Sequence, residues 1–296
     1  MSTFRPKTFD DVIGQQDVIK RLKISTFACK MKRQPLPHVL LDGPPGLGKT
    51  TIAAAIAQEL DSELITANAA SIRSVGSIMK YLYNISRDCV LFIDEIHNLP
   101  KLVEEFLYPV MENFTANIAI DSEPEEIEIP PFTLVGATTS GGSLTQPFYD
   151  RFTIKEHLNF YTINELAKLA GLNAQRSGLS LSDNDAMEIA ERSKGTPRIL
   201  NARLEWYQSY KMYYKDDNVS VNDVFTEQGI DSRGLDENDR KYIEVLKDSK
   251  GSALGIKNIS SMTGIAMDTI ENSIEPYLVR MGCVRRTSKG RILGNY

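Results

Sequence analysis

Residues 38–50 read HVLLDGPPGLGKT. Pro35 and Pro37 break the preceding helical pattern, and His38–Asp42 reads as a short buried strand. It runs into Gly43-Pro44-Pro45-Gly46-Leu47-Gly48-Lys49-Thr50, a match to G-x-x-x-x-G-K-[ST], and then into the apolar-periodic stretch TIAAAIAQEL. The order strand, glycine loop, helix separates a phosphate-binding loop from an ordinary glycine turn. Backbone N–H groups of such a loop and of the following helix N-terminus surround a phosphate. Lys49 is placed to reach the β- and γ-phosphates, and the Thr50 hydroxyl to ligate Mg²⁺.

Working outward, Cys89–Ile93 (CVLFI) is a second buried strand, and Asp94-Glu95 stands at its end. A carboxylate there holds Mg²⁺ through water, and its neighbour orients or deprotonates an attacking water. His97 reads as a supporting group. Thr138-Thr139 ends a third buried strand, Phe132–Ala137, and offers hydroxyls to a γ-phosphate or water. Arg151 (in DRF) and Arg198 (in GTPR) are compatible with phosphate contacts or with surface ion pairs, the usual fate of arginine.

Strand and helix alternate to about Leu158, which predicts a parallel sheet covered by helices on both faces. Helical spacing is expected at Ser71–Ser86 and Lys101–Phe114. Asn117–Ile120 and Ile127–Ile129 read as a hairpin whose tip is acidic, with Asp121, Glu123, Glu125, Glu126 and Glu128. After Phe160 the strands stop. Thr162–Ser177, Ser182–Lys194, Thr196–Tyr214 and Ser220–Gly229 read as four helices, each opened by a Ser or Thr cap. Asp231–Leu235 has linker composition, and the remainder carries three helical stretches and a basic end.

The 296 residues suit two or three domains. Hydrophobic residues make up 42% and charged residues 25%, so a folded chain is expected. Cys29, Cys89 and Cys283 are too widely spaced for a disulfide framework or a zinc site, and His38, His97 and His157 form no ligand pair. With no signal-peptide pattern and no long apolar run, the expectation is a soluble cytoplasmic protein. The net charge of −5 argues on average against nucleic acid. Its distribution argues otherwise: Arg280, Arg285, Arg286, Lys289 and Arg291 fall in the last seventeen residues with no acid among them. Alternating Val284, Thr287 and Ile292 with a glycine turn predict a β-hairpin there, the way a winged helix presents cations to DNA phosphates.

The strings RPKTFDDVIGQ, HVLLDGPPGLGKTTIA, VLFIDEIHNLP, VEEFLYPVMENF, PPFTLVGATT, DRF, GTPRI and EPYLVRMGCVRRTSKGR occur in order over nearly the whole chain. Together they resemble the RuvB family of bacterial Holliday-junction branch-migration motors. The resemblance implies an α/β AAA+ P-loop NTPase domain (1–160), a helical lid (161–235) and a C-terminal winged helix (236–296). It implies a ring hexamer that uses ATP and Mg²⁺ to pump duplex DNA at four-way junctions, with a RuvA-like junction-binding partner. By the same resemblance Phe4 and Arg5 lie at the adenine, and Gly46, Gly48, Lys49, Thr50 and Thr51 in the loop. Glu112, Asn113 and Phe114 match the segment that closes the pocket, and Tyr161 a lid-side contact. Thr50 and Asp94 match the metal site, Asp94 and Glu95 the Walker B pair, and Thr139 the first sensor. Arg151 matches an arginine finger that enters a neighbouring subunit, and Arg198 the second sensor. Arg286 and Arg291, with Lys289 beside them, match DNA contacts. The chain departs from the family at Tyr149 and at Ser140-Gly141, where Arg and Arg-Ala are usual. Its hairpin at 115–129 is shortened and acidic where the family docks RuvA through an apolar contact, and the N-terminal extension usual in the family is absent. A contrasting reading is an AAA+ loader or remodeller whose winged helix binds protein. Those subunits usually end in a helical collar, which this chain replaces with a basic wing.

Overall fold

The computed structural model describes Pro6 and residues 8–120, 123–215 and 219–294, and divides into two units, the first ending at Asn159 and the second beginning at Phe160. In the first unit the apolar runs become strands of one parallel sheet: β1 (Val39–Asp42), β2 (Leu64–Asn68), β3 (Val90–Asp94), β6 (Thr133–Thr138) and β7 (Ile154–His157), in the order β2-β3-β6-β1-β7. Val39, Leu41, Val90, Leu91, Leu134 and Val135 are fully buried, as expected of strands covered on both faces. Helix α1 (Gln16–Lys32) precedes β1, and α2 (Lys49–Glu59), α3 (Val75–Leu82), α4 (Lys101–Asn113) and α5 (Gln146–Asp150) lie between the strands. Because all five strands run the same way, their C-terminal ends lie together, and this is the end where open α/β sheets bind ligands.

In this unit two expectations are corrected, and one strand escapes the sequence. The helix predicted from Ser71 begins at Val75, because Ser77 Oγ accepts from the Ser74 amide at 2.9 Å in a capping box that fixes the start. Three of the hairpin's acids lie away from its tip. Strand β4 (Thr115–Ile120) pairs with β5 (Glu123–Glu128) in the register Ile118↔Glu125, so Glu125, Glu126 and Glu128 lie along a strand while Ile118 and Ile127 pack on the core. Asp121 lies outside the described residues. Strand β7 escapes a reading by hydrophobicity because it is an edge strand, IKEH. Its Glu156 is buried against Arg21, whose Nε donates at 2.8 Å.

In the second unit, helices α6 (Ile163–Ser177), α7 (Asp183–Glu191), α8 (Pro197–Tyr214) and α9 (Val221–Glu227) are each opened by the expected cap. Thr162, Ser182, Thr196 and Ser220 accept from the amides of Glu165, Asp185, Ile199 and Asp223. Each such cap contributes about 1 kcal/mol. Helix α7 stops short of Lys194 because Lys194 and Gly195 both take left-handed backbone, at φ 51° and 75°. The winged helix follows: α10 (Glu237–Asp248), α11 (Ile256–Thr263), then α12 (Met267–Thr269) running through a π turn at Ile270–Ile274 into α13 (Glu275–Arg280). Strands β8 (Val284–Thr287) and β9 (Gly290–Leu293) form the wing, and Leu235, Tyr242, Ile243, Leu246, Ile259, Ile270 and Leu278 form the core beneath it. Among the described residues no helix is long and apolar enough to cross a membrane.

Candidate nucleotide site and wing

The loop after β1 turns sharply before α2. Gly43 has φ +144°, and a Cβ there would lie 2.6 Å from the Leu158 carbonyl oxygen, so only glycine lets the chain pass. Gly48 caps α2 in left-handed conformation, and the first turn of α2 carries no acid. The amides that open α2 and the lysine beside them therefore form an anion cradle. Buried Lys49 donates from Nζ to the carbonyls of Gly43 at 2.7 Å and Pro44 at 3.1 Å, which holds its ammonium over the loop. Gly46 shares the turn at φ 82°, and Thr50 and Thr51 follow in the first turn of α2, both half-buried.

The ends of β3 and β6 lie at the same end of the sheet. Glu95 has left-handed backbone at φ 49°, and its amide donates to Asp94 Oδ1 at 3.1 Å. Thr139 Oγ1 donates to Glu95 Oε2 at 3.1 Å, and His97 Nδ1 lies 3.4 Å from the same oxygen and 3.0 Å from Thr138 Oγ1. The Glu95 carboxylate is thus fixed by the tip of the neighbouring strand, and His97 is one of the groups that fix it. Thr50 offers a hydroxyl and Asp94 a carboxylate, a hard oxygen set that suits a divalent cation sharing phosphate ligands. Among the described residues no cluster of three or more His, Cys, Asp or Glu side chains is placed to hold a metal ion.

The structure does not bring every expected residue to this end. Glu112, Asn113 and Phe114 lie at the opposite end of the sheet, around His38 at the start of β1. His38 Nε2 lies 3.0 Å from the Met111 carbonyl, its Nδ1 accepts from the Leu134 amide at 2.9 Å, and its ring meets that of Phe114 edge-on. Nδ1 therefore carries no proton, and Nε2–H is the donor. Burial pushes the His38 pKa down. Arg151 is at this end too, just ahead of β7, whose Ile154 amide bonds the His38 carbonyl. Its Nη2 pairs with Glu112 at 2.9 Å, Nη1 donates to the Pro147 carbonyl at 2.6 Å, and its guanidinium lies 4.0 Å from the Tyr108 ring centroid. Arg151 Nε is buried with no hydrogen-bond acceptor. The pocket-closing segment is therefore not part of its own chain's P-loop site. Nearby, Tyr149 holds Lys155 Nζ 4.5 Å from its ring centroid.

In the second unit Tyr161 is buried, with its amide donating to the Gly195 carbonyl at 2.9 Å, while Arg198 is exposed in the first turn of α8. Phe4 and Arg5 lie outside the described residues. The wing is less purely basic than its sequence. Glu275, fully buried, takes Arg291 Nε at 2.8 Å, Arg286 Nη2 at 2.6 Å and the Tyr242 hydroxyl at 2.8 Å, and Glu271 takes Arg291 Nη2 at 3.0 Å. Burial works against the Arg291 charge, yet the bonds to Glu275 outweigh it and raise the guanidinium pKa. Burial, then the bond to Glu275, pushes the Tyr242 phenol upward. Arg286 stays half-exposed, and Arg285 and Lys289 face outward. Glu275 was not legible as a site residue, since nothing in EPYLVR marks its carboxylate as turned inward toward the wing.

Comparison with known proteins settles the family. Residues 4–158 match the Holliday junction DNA helicase RuvB P-loop domain, 161–233 the RuvB AAA lid domain and 232–295 the RuvB C-terminal winged helix domain. The chain belongs to the RuvB family. It is 41% identical to the RuvB subunit of the Holliday junction branch migration complex from Rhodopirellula baltica, over 98% of this chain and 81% of that one. It is also 41% identical to the Campylobacter hominis subunit, over 99% and 88%. The Thermotoga maritima RuvB Holliday junction branch migration motor superposes with a TM-score of 0.90 at 39% identity, covering 99% of this chain and 96% of that one. The chain is accordingly an α/β AAA+ P-loop ATPase with a lid and a winged helix, and a nucleotide-binding, ATP-hydrolysing member of the RuvB family.

Proposed function

We propose that this RuvB-family chain is an ATP-driven motor of the cytoplasm that moves duplex DNA at four-way junctions in recombination and repair, working as a ring hexamer. The observation that carries the reading is the placement of Arg151 at the opposite end of the sheet from Lys49, Asp94, Glu95 and Thr139. An arginine finger so placed serves a neighbour's nucleotide, and a closed ring gives every site a neighbour. Glu112, Asn113 and Phe114 share that end with Arg151 and belong to the same inter-subunit reading.

In this reading Gly46, Gly48, Thr51 and Lys49 cradle the phosphates, and Glu95, steadied by Thr139 and His97, takes the proton of the attacking water. Mg²⁺ would be held by Thr50 and Asp94 and would neutralise charge between the β- and γ-phosphates. Phe4, Arg5 and Tyr161 hold the base side, and Arg198 reports the γ-phosphate to the lid. The domains run 1–160, 161–235 and 236–296. Arg286 and Lys289 belong to the DNA-facing wing, with Arg291 behind them held by Glu275 and Glu271, and a RuvA-like partner docks on the β4–β5 hairpin.

The test is branch migration of a synthetic four-way junction with ATP, with and without a RuvA protein. ATP-dependent conversion of the junction to duplex arms supports the reading. A chain whose ATP hydrolysis ignores duplex and junction DNA alike is a loader or remodeller instead.

A further inference from the structure

The second unit buries an ion cluster that neither the P-loop chemistry nor the wing uses. Lys194 is only 7% exposed at its side chain, yet its ammonium bonds Asp239, which is completely buried, and reaches Asp236 Oδ2 at 3.1 Å. Lys194 stands in the left-handed turn between α7 and α8, four residues before Arg198. Asp236 and Asp239 open α10 of the winged helix, where Asp236 caps the amides of Asn238 and Asp239 and Asp239 Oδ2 takes the Asp236 amide at 2.8 Å.

A second tie runs beside the first. Arg280, the last residue of α13, donates to the Tyr161 carbonyl at 3.3 Å and lies 4.9 Å from the Phe160 ring centroid. Tyr161 in turn bonds the Gly195 carbonyl, next to Lys194. A Cβ at Gly195, at φ +75°, would meet Arg280 Nη1 at 2.1 Å and Phe160 at 3.2 Å, so the turn, Phe160 and α13 fit closely. Tyr161, and the turn at Lys194 that leads into the helix carrying Arg198, are thus tied to the winged helix at two points, one on its first helix and one at the end of the helix that leads into the wing.

We infer that Lys194, Asp236 and Asp239 are positioning residues that couple the second-sensor turn to the winged helix, so that DNA on the wing and nucleotide at the lid act on one rigid body. A buried pair suits this task, because a surface pair in water would be too weak and too loose to transmit position. The inference rests on the motor reading of Arg198, Tyr161 and the wing.

The test uses the full chain with Asp239→Asn, which keeps the side-chain shape and the bond to the Asp236 amide while removing the charge. Asp236→Asn is the milder variant, since Asn also caps a helix. Lys194→Arg is the conservative rescue. The readouts are basal ATP hydrolysis, its stimulation by duplex DNA, duplex affinity and melting temperature. Expected is a loss of DNA stimulation of about five-fold or more in Asp239→Asn, with basal turnover and duplex affinity within about two-fold of the parent. Asp236→Asn loses less, and Lys194→Arg keeps the stimulation.

Ile259→Ala, a core truncation in α11, serves as the stability control. Full stimulation in Asp239→Asn and Asp236→Asn overturns the inference, and so does an equal loss of stimulation in Ile259→Ala at matched melting temperature. A parent chain that binds no duplex DNA, or whose hydrolysis does not respond to it, instead removes the motor reading and the inference with it.

Discussion

Mixing two dead variants, Lys49→Ala and Arg151→Ala, tests the inter-subunit placement directly. Strand β1 has four residues, and the P-loop leaves its C-terminal end while Arg151 sits beside its start. At about 3.3 Å per residue the two groups are separated by roughly 13 Å along the sheet, before the lengths of the flanking loops are added. Arg151 is also held where it is, by Glu112, the Pro147 carbonyl and the Tyr108 ring. Each pure variant should be inactive, with loss of the finger alone lowering turnover by about 10³-fold or more. In an equal mixture assembled from monomers, half the P-loops keep Lys49 and half the neighbours keep Arg151, so about a quarter of interfaces are complete in a cyclic ring. Steady-state ATPase should therefore recover to roughly a quarter of the parent level and peak at equal proportions. A finger acting within its own chain leaves every site with one defect, whatever the ratio. Activity that stays at background across the whole series would refute the placement of Arg151 in a neighbouring site.

Four further outcomes follow from the same geometry. Glu95→Gln should bind nucleotide normally and lose about 10²–10⁴-fold in turnover, as expected when a general base is removed; normal turnover takes Glu95 out of the mechanism. The first unit should lose stability as pH falls below about 6.5, because the folded His38 pKa is lowered and the unfolded chain takes the proton first. Urea midpoints against pH measure this, and a His38→Gln chain with the same acid slope rules it out. On the wing, Arg285→Ala and Lys289→Ala should each flatten the slope of log affinity against log salt by about one, while Glu275→Ala takes the acceptor from the buried Tyr242 hydroxyl and from Arg286 and Arg291 and lowers stability by about 1–3 kcal/mol. Fluorescence anisotropy at graded salt and a denaturant titration read the two effects separately.

What the sequence made legible was whatever is local. A glycine loop between a buried strand and an apolar helix, a carboxylate pair at the end of CVLFI, and Ser or Thr ahead of each lid helix are contiguous patterns, and each sits where its pattern places it. Pairings set by the tertiary fold were not legible. His38 is tied to residues more than ninety positions away in Leu134 and more than seventy away in Met111, and nothing in HVLLD announces it. The resemblance assigns Glu112, Asn113 and Phe114 to a nucleotide pocket without saying whose, and only the fold shows that α4 runs away from its own P-loop and delivers Glu112 to Arg151 at the other end of the sheet. Polar edge strand β7 was hidden for the same reason, since its buried Glu156 is explained only by Arg21 in α1.

The charge of the chain shows how far a local reading misleads when acids and bases meet in space. The net charge of −5 spoke against DNA, and the basic final segment spoke for it. The fold moderates the second argument too. Glu271 and Glu275 lie outside that segment in sequence but against it in space, and they engage Arg286 and Arg291. Arg280 is turned to Tyr161 and Phe160 instead of the wing. Each wing therefore presents Arg285, Lys289 and the outer part of Arg286 to a phosphate backbone. Phosphate affinity grows with the number of neutralised charges, so one wing holds duplex weakly at physiological salt. In the proposed hexamer, six wings around one duplex would act at a high effective concentration for one another, and avidity would then exceed any single contact by orders of magnitude. Tight DNA binding should for that reason appear only where the ring forms, and a variant that stays monomeric should keep its wing and lose its grip.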